Sequence, residues 1–411
     1  MPDPRLGQVR ILFSSTGGAG HVGPLLPVAR SFAGRGHEVL FLLPSSSRRL
    51  AEDAGFAVHE APPPDPVENA AIQDAILRDP TVMPVLINRD YFGRLCTEAT
   101  LPAAEELCAS WKPDLVVHEP CDYASALAAH RAGIPHVQLA IGLAWVEWGS
   151  LHEHAAKALV DIDPDAVRII SESPYVTRLP ESLDPSEYPR TIRYRAPEET
   201  ATAAPDEVPF DLAELAPEGT SLLYATLGSM AGHSQWSPGV YRLLLDAFAR
   251  LERSRPGIRV LLTLGRSLDP ATLGTVPGNT RVAAWFPQAR VFAAARAVLS
   301  HGGSGTAYGA LSAGLPCVFL PLFADQPHNA KLIAAAGAAI QIDTEDLRRD
   351  GMPAIAEPAD RARLSALAEE IADAVAAIVD DPAYAARARV VGGQLNALPG
   401  LQRALGEYVH E

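Results

Sequence analysis

Val9-Arg10-Ile11-Leu12-Phe13-Ser14-Ser15-Thr16-Gly17-Gly18-Ala19-Gly20-His21 begins as a short apolar run and stops at a cluster of glycines. An apolar run of about five residues suits a buried strand, and glycine lets the chain turn sharply where the strand ends. Leu25, Leu26, Val28, Ala29 and Phe32 then recur at the spacing of one helical face, which closes at Gly34-Arg35-Gly36. Residues 37–43 read as the next strand. Strand, glycine loop, helix and strand in that order predict a parallel sheet covered by helices, because parallel neighbours need a crossover between them.

The rhythm carries on along the chain. A helix from about Ser46 leads to a strand at 56–59, a long helical region at 67–110 and a strand at 114–118; a helix at 123–132 and a strand at 135–140 follow. From Arg195 to Gly219 the text turns polar and proline-bearing, which cannot continue a sheet interior. A second cycle starts at 221–229, with a helix at 241–251 and further strands at 259–264, 281–284, 297–300, 317–320 and 338–342. The tail from 360 to 410 is almost all helical. The reading is an α/β chain of two doubly wound halves, 1–195 and 220–390. A linker at 196–219 joins them, and a closing helix at 391–411 returns to the first half. Two such halves imply a cleft between them, with ligands at the C-terminal strand edges.

Composition narrows the classes further. The 411 residues are 48% hydrophobic and 20% charged, enough apolar material for two cores. With 34 Lys plus Arg against 49 Asp plus Glu, the net charge is −15, and no basic stripe offsets it. A nucleic acid or an anionic bilayer is therefore not the expected partner. Four cysteines, Cys96, Cys108, Cys121 and Cys317, show no zinc-type spacing and suit a reducing, cytoplasmic setting. The start Met1-Pro2-Asp3-Pro4-Arg5 lacks an apolar signal core. The longest uncharged stretch, 297–324 apart from His301, is broken by glycines and by Pro316 and Pro321, so no membrane span is expected.

Two constellations carry chemistry. Gly17 to His21 allows close approach of a ligand, but a dinucleotide fingerprint fails because Gly23 is followed by Pro24 and the next strand ends without an acidic residue. His21 on a first helical turn would be held neutral and able to accept a proton. Glu119, at the end of the 114–118 strand, offers a carboxylate to it, while His118 beside it is an equally available histidine. The second constellation is Trp285-Phe286-Pro287-Gln288, then His301-Gly302-Gly303-Ser304-Gly305-Thr306, then Asp325-Gln326. Residues 304–306 open a helix after a strand, which suits a diphosphate, with His301, Ser304 and Thr306 as further donors. No Lys follows these glycines, so this is not a nucleoside-triphosphate loop of the Walker type.

The order Trp-x-Pro-Gln, His-Gly-Gly-x-Gly-Thr, Asp-Gln, together with Gly20-His21-Val22-Gly23-Pro24, resembles the inverting, nucleotide-sugar-dependent glycosyltransferases of the GT-B fold. The bacterial branch that decorates natural products is the most similar. The resemblance implies two facing Rossmann-like domains, the first taking the acceptor and the second the nucleotide sugar. It implies that Trp285 and Gln288 hold the base, and that His301, Gly303, Ser304, Gly305 and Thr306 hold the diphosphate. Ser229 would add a phosphate contact, and Asp325 and Gln326 would bind sugar hydroxyls. His21 matches the family's base, and Glu119 stands where the family usually has Asp. Tyr91, Phe92, Trp145 and Trp148 lie where relatives line the acceptor pocket, although by composition alone they are ordinary core.

Where relatives that use uridine diphosphate sugars carry a Glu for the ribose hydroxyls, this chain has Gly309. That favours a thymidine diphosphate donor carrying a deoxysugar over a uridine one; the alternative is that Gly309 only serves helix packing. The implied reaction is transfer of the sugar to a hydroxyl of a small hydrophobic natural product, with no metal and no prosthetic group. The rival readings are a catalytically silent glycosyltransferase-like protein that activates a partner enzyme, and a sugar-nucleotide epimerase on the same fold. Two acidic or histidine-rich stretches, 161–165 and 152–154, read as solvated surface rather than metal sites.

Overall fold

The computed structural model describes residues 8–197, 210–228, 237–265, 268–322, 325–344 and 358–408. These fall into two units, 1–198 with 397–411, and 199–396. Most of the expected linker, 198–209, lies outside the described residues.

The first unit is built on strands β1 (Arg10–Ser14), β2 (Glu38–Pro44), β3 (Ala57–Ala61), β4 (Leu115–His118), β5 (His136–Leu139), β6 (Tyr175–Thr177) and β7 (Thr191–Arg193). They form one parallel sheet in the order β3-β2-β1-β4-β5-β6-β7. Successive side chains of a strand point to opposite faces. Ile11 and Phe13 accordingly pack with Val28 and Phe32 of the helix Leu25–Ala33, while Leu12 packs with Ala104, Leu107 and Ala128 on the other side. Both faces are covered, which is why the inner strands β1 and β4 read as apolar runs rather than alternating ones.

The second unit repeats the plan with β8 (Ser221–Thr226), β9 (Ile258–Thr263), β10 (Thr280–Ala283), β11 (Ala297–Ser300), β12 (Cys317–Phe319) and β13 (Ala339–Gln341), in the order β10-β9-β8-β11-β12-β13. Every pairing is again parallel. Leu223 and Ala225 sit in a core with Leu244 and Phe248 of the helix Ser237–Ser254 and with Ile371 and Val375 of the helix Pro358–Asp380. The chain thus has two Rossmann-like α/β units, as the sequence predicts. No helix among the described residues is long and apolar enough to cross a membrane.

Three details depart from the sequence reading. β6 and β7 are three residues each, too short for a pattern to declare itself. The helical region at 67–110 is interrupted: the helix Pro66–Arg78 ends at Asp79, just before Pro80, because the residue preceding a proline is pushed out of helical geometry. A 3₁₀ turn covers Pro80–Val82, and the winding from Met83 widens to i→i+5 bonding over Leu86–Cys96.

The third departure is the return of the tail, which begins at 397 rather than 391. The helix Pro382–Asn396 is held in the second unit by buried Val391 and Leu395, and by Asn396 Nδ2 donating to Ser312 O at 2.9 Å. A Cβ on Gly392 would lie 2.1 Å from the carbonyl of Leu311, so this helix seats closer than any side chain there would allow. Beyond it, Leu401 and Leu405 join the core of the first unit beside Val9 and Leu26, and Gln402 Nε2 donates to Ser31 Oγ at 2.6 Å.

The tail helix therefore completes the first core. Replacing a buried Leu by Ala costs about 2–5 kcal/mol, from lost burial and the cavity left behind. Leu401→Ala is expected to lower unfolding stability by that amount in urea titration; a loss below about 0.5 kcal/mol, the range of ordinary surface changes, would show that the tail is not part of the core.

Candidate active site

In each sheet the strand order reverses between two neighbours, β1 and β4 in the first and β8 and β11 in the second. Crossovers run in opposite directions from such a pair, leaving an uncovered crevice at their C-terminal ends. The segments that follow β1, β4 and β11 carry His21, Glu119 and His301.

In the first unit, β1 ends at Ser14, paired with His118 of β4, and Glu119 N donates to Ser14 O at 3.2 Å. Gly17 and Gly18 take positive φ, 99° and 84°. A Cβ on Gly17 would lie 2.7 Å from Pro44 and 2.8 Å from Ser47, so glycine is required there. The turn delivers His21 on the one-turn helix Ala19–Val22. Four residues make a weak macrodipole, so the field that governs this imidazole comes from Glu119.

Glu119 is fully buried, with Oε1 3.1 Å from His21 Nδ1. Oε1 also accepts from Thr16 N at 3.0 Å and from the Thr16 hydroxyl at 2.6 Å, and Oε2 accepts from Cys121 N at 2.7 Å. Burial pushes this carboxyl up, but the charge and hydrogen bond of His21 and the bonds from Thr16 and Cys121 outweigh it and hold it down at about 2. An ionised Glu119 fixes the imidazole proton on Nδ1 and leaves the lone pair on Nε2. His118 is separated from this role: it is a core histidine, its Nε2 3.4 Å from His136 Nδ1 and its pKa pushed by burial to about 4.

The four aromatic candidates divide. Phe92 lies 5.2 Å from the His21 ring, with Tyr91 edge-on to Phe92 at 5.1 Å. Trp148 packs on His152 at 3.9 Å and edge-on to Tyr188 at 4.9 Å, whereas Trp145 is 49% exposed. Sequence reasoning missed a buried neighbour, Glu147, which accepts from Ile141 N at 3.0 Å, Gly142 N at 2.6 Å and the Tyr175 hydroxyl at 2.5 Å. Burial pushes its carboxyl up to about 8, partly opposed by those bonds. It anchors the turn between β5 and the helix Ala144–Gly149.

In the second unit the helix Ser304–Ser312 follows β11. Gly303 and Ser304 are half-buried and Gly305 is exposed. His301 lies between two glycines: a Cβ on Gly228 would come within 2.8 Å of its ring, and one on Gly303 within 2.5 Å. Burial pushes its pKa down to about 4, and its buried Nδ1 has no hydrogen-bond partner among the described residues. Ser229 lies outside the described residues.

Asp325 Oδ2 accepts from Ser304 Oγ at 2.8 Å and from Asn329 Nδ2 at 2.7 Å. The same Asn329 amide reaches Gly302 O at 3.0 Å and Ser304 Oγ at 3.1 Å, and its oxygen accepts from Tyr308 OH at 2.8 Å. Asn329 was also missed, although it stands one helical turn after Asp325. Gln326 is buried, its Oε1 accepting from Leu322 N at 2.9 Å. Gln288 Nε2 donates to Thr306 Oγ1 at 3.1 Å and to Tyr224 OH at 3.4 Å. Trp285, 37% exposed, precedes it on the loop after β10. A Cβ on Gly309 would lie 3.0 Å from the Phe292 ring, which fills the space beside it.

The family of erythromycin biosynthesis protein CIII-like proteins matches this chain through its N-terminal domain at residues 81–183 and its C-terminal domain at 258–377. L-demethylnoviosyl transferase of Streptomyces niveus is 32% identical over 352 residues, covering 83% of this chain and 87% of that protein. Among solved structures, the glycosyltransferase SnogD of Streptomyces nogalater matches with a TM-score of 0.70 at 25% identity, over 98% of this chain and 99% of the other. The spinosyn rhamnosyltransferase SpnG complexed with thymidine diphosphate matches with a TM-score of 0.75 at 20% identity, over 98% and 100%.

The buried Glu119 gives a pH signature. Its carboxyl titrates near 4.5 when unfolded and near 2 when folded. Its contribution to stability is whole above about pH 4.5 and is lost as the pH falls toward 2. Glu119→Gln is expected to flatten the stability profile in that window, read by urea unfolding between pH 5 and pH 2.5; an unchanged slope would mean that Glu119 is not ionised in the fold.

Proposed function

The chain belongs to the erythromycin biosynthesis protein CIII-like family of antibiotic-biosynthesis glycosyltransferases, and from that premise we propose that it moves a deoxysugar from a thymidine diphosphate donor to a hydroxyl of a small apolar acceptor. The observation that carries the mechanism is the 3.1 Å contact between His21 Nδ1 and the buried Glu119 carboxylate. With the proton on Nδ1, Nε2 takes the acceptor proton as the oxygen attacks the anomeric carbon. The bond to the diphosphate breaks on the opposite face and the configuration inverts. Glu119 stabilises the imidazolium that forms, and the pair works without leaving a new charge unpaired.

Departure of the diphosphate is favoured by the first N–H groups of the helix Ser304–Ser312, which have no acceptor within the helix, and by Ser304 and Thr306. Fixed dipoles of this kind cost no reorganisation during reaction, so the reading needs no metal. Asp325 and Gln326 stand at the start of the helix Gln326–Ala335 and are assigned to the sugar, with Trp285 against the base. Thymidine diphosphate as the nucleotide is supported by the occupied spinosyn rhamnosyltransferase and by Gly309, where no carboxylate is available for a 2′-hydroxyl. A ribose hydroxyl buried without a partner costs about 1–3 kcal/mol.

Two measurements test this. His21→Ala is expected to lower kcat by about 100-fold to 10,000-fold, the usual worth of a general base, while calorimetric affinity for thymidine diphosphate stays within about twofold. Wild-type-like turnover would remove His21 from the mechanism. Titration of the wild-type protein is expected to show thymidine diphosphate binding at least about tenfold more tightly than uridine diphosphate, the equivalent of about 1.4 kcal/mol; equal affinities would overturn the donor assignment.

A further inference from the structure

One group of His, Cys and acidic side chains among the described residues brings its donor atoms together: His21, Glu119 and Cys121 each offer one atom, all within 4.8 Å of one another. Glu119 is buried, while His21 and Cys121 are half-buried. We propose that these three side chains form a binding site for a thiophilic divalent cation such as zinc, and that its occupation switches off the base.

The donor chemistry suits that ion. Imidazole nitrogen, carboxylate oxygen and thiolate sulfur are the ligand types zinc takes, at about 2.0–2.3 Å, which sets ligand atoms roughly 3.5 Å apart in a tetrahedron. Nδ1 and Oε1 already stand 3.1 Å apart, and the Cys121 sulfur lies within 4.8 Å of both. Glu119 is held in place from both oxygens by Thr16 and by the Cys121 main chain, so one ligand is fixed before the ion arrives. The fourth position is left for water, the arrangement of an open zinc site.

Binding balances as follows. Glu119 is already ionised, and Cys121 gives its thiol proton to solvent as the sulfur–metal bond forms. The metal takes the Nδ1 lone pair, so the imidazole proton passes through solvent to Nε2. Nε2–H is the tautomer that cannot accept a proton from an acceptor hydroxyl. This second half of the proposal rests on the reading of His21 as the base; the metal site itself does not.

The test uses the full-length protein stripped with chelator. Cobalt(II) is expected to produce a thiolate-to-metal charge-transfer band of one equivalent. Cys96, Cys108 and Cys317 are buried, so the band belongs to Cys121. Cys121→Ser keeps the main-chain N–H donated to Glu119 Oε2; it is expected to lose the band, with metal affinity down by at least about tenfold, and its inhibition by zinc is read against its own metal-free turnover. Zinc is then expected to inhibit the wild-type protein at concentrations at least tenfold below those that inhibit Cys121→Ser. Cys121→Ala supplies the same comparison if the serine variant does not fold. No band, or a band that survives in the variants, overturns the site. A Cys121-dependent band without inhibition of turnover overturns the switch and the base assignment together, and leaves the metal site standing.

Discussion

The reversal of strand order beside β1, and again beside β8, is the constraint from which the rest follows. A parallel strand must be followed by a crossover, and when neighbouring crossovers leave in opposite directions no helix covers the strand ends between them. Chain segments leaving two adjacent strands are then crowded into one crevice. In the first unit the crowding is relieved by Gly17, which has no room for a Cβ, and by the bond from Glu119 N to Ser14 O. In the second it is relieved by Gly228 and Gly303, which flank the His301 ring more closely than any side chain would permit.

Charge and polarity at these crevices are managed by the same device, a carboxyl group supplied with nearby donors, buried at Glu119 and Glu147 and half-buried at Asp325. Glu119 takes N–H bonds from Thr16 and Cys121, and Glu147 takes them from Ile141 and Gly142. Asp325 uses side chains instead, Ser304 and Asn329. The environments set different outcomes. Glu119 has the imidazole beside it and is held ionised, whereas Glu147 has only neutral donors against its burial and rises to about 8. Asn329, fully buried and joined to Gly302, Ser304, Asp325 and Tyr308, fixes the shape of the turn that precedes the helix Ser304–Ser312. A network of this kind specifies one geometry because each partner lost leaves a buried group unsatisfied.

The parts of this architecture that were legible are those that repeat over many residues. β1, the helix after it and β2 declare themselves by apolar spacing and glycine punctuation, and so do β8, β9 and β11. β6 and β7 were not legible, because three residues inside a proline- and serine-rich stretch carry no period. His21 and His301 stood out by sitting in glycine loops. The choice between Glu119 and His118 as a neighbour for His21 did not follow from sequence, since they are adjacent and only the strand register decides which turns into the core. Thr16, Cys121 and Asn329 were invisible for another reason: each acts through a contact to a residue already suspected, and one sequence holds no record of such contacts.

Gly309 shows how closely packing and specificity are joined in the second unit. The glycine is adjacent to the edge of Phe292, Phe292 lies edge-on to Tyr224 at 6.0 Å, and the Tyr224 hydroxyl accepts from Gln288, the residue assigned to the base. A side chain at 309 would bring its Cβ to 3.0 Å from the Phe292 ring, which would have to yield by a few tenths of an ångström. Substitution at this position is therefore best paired with a smaller residue at 292.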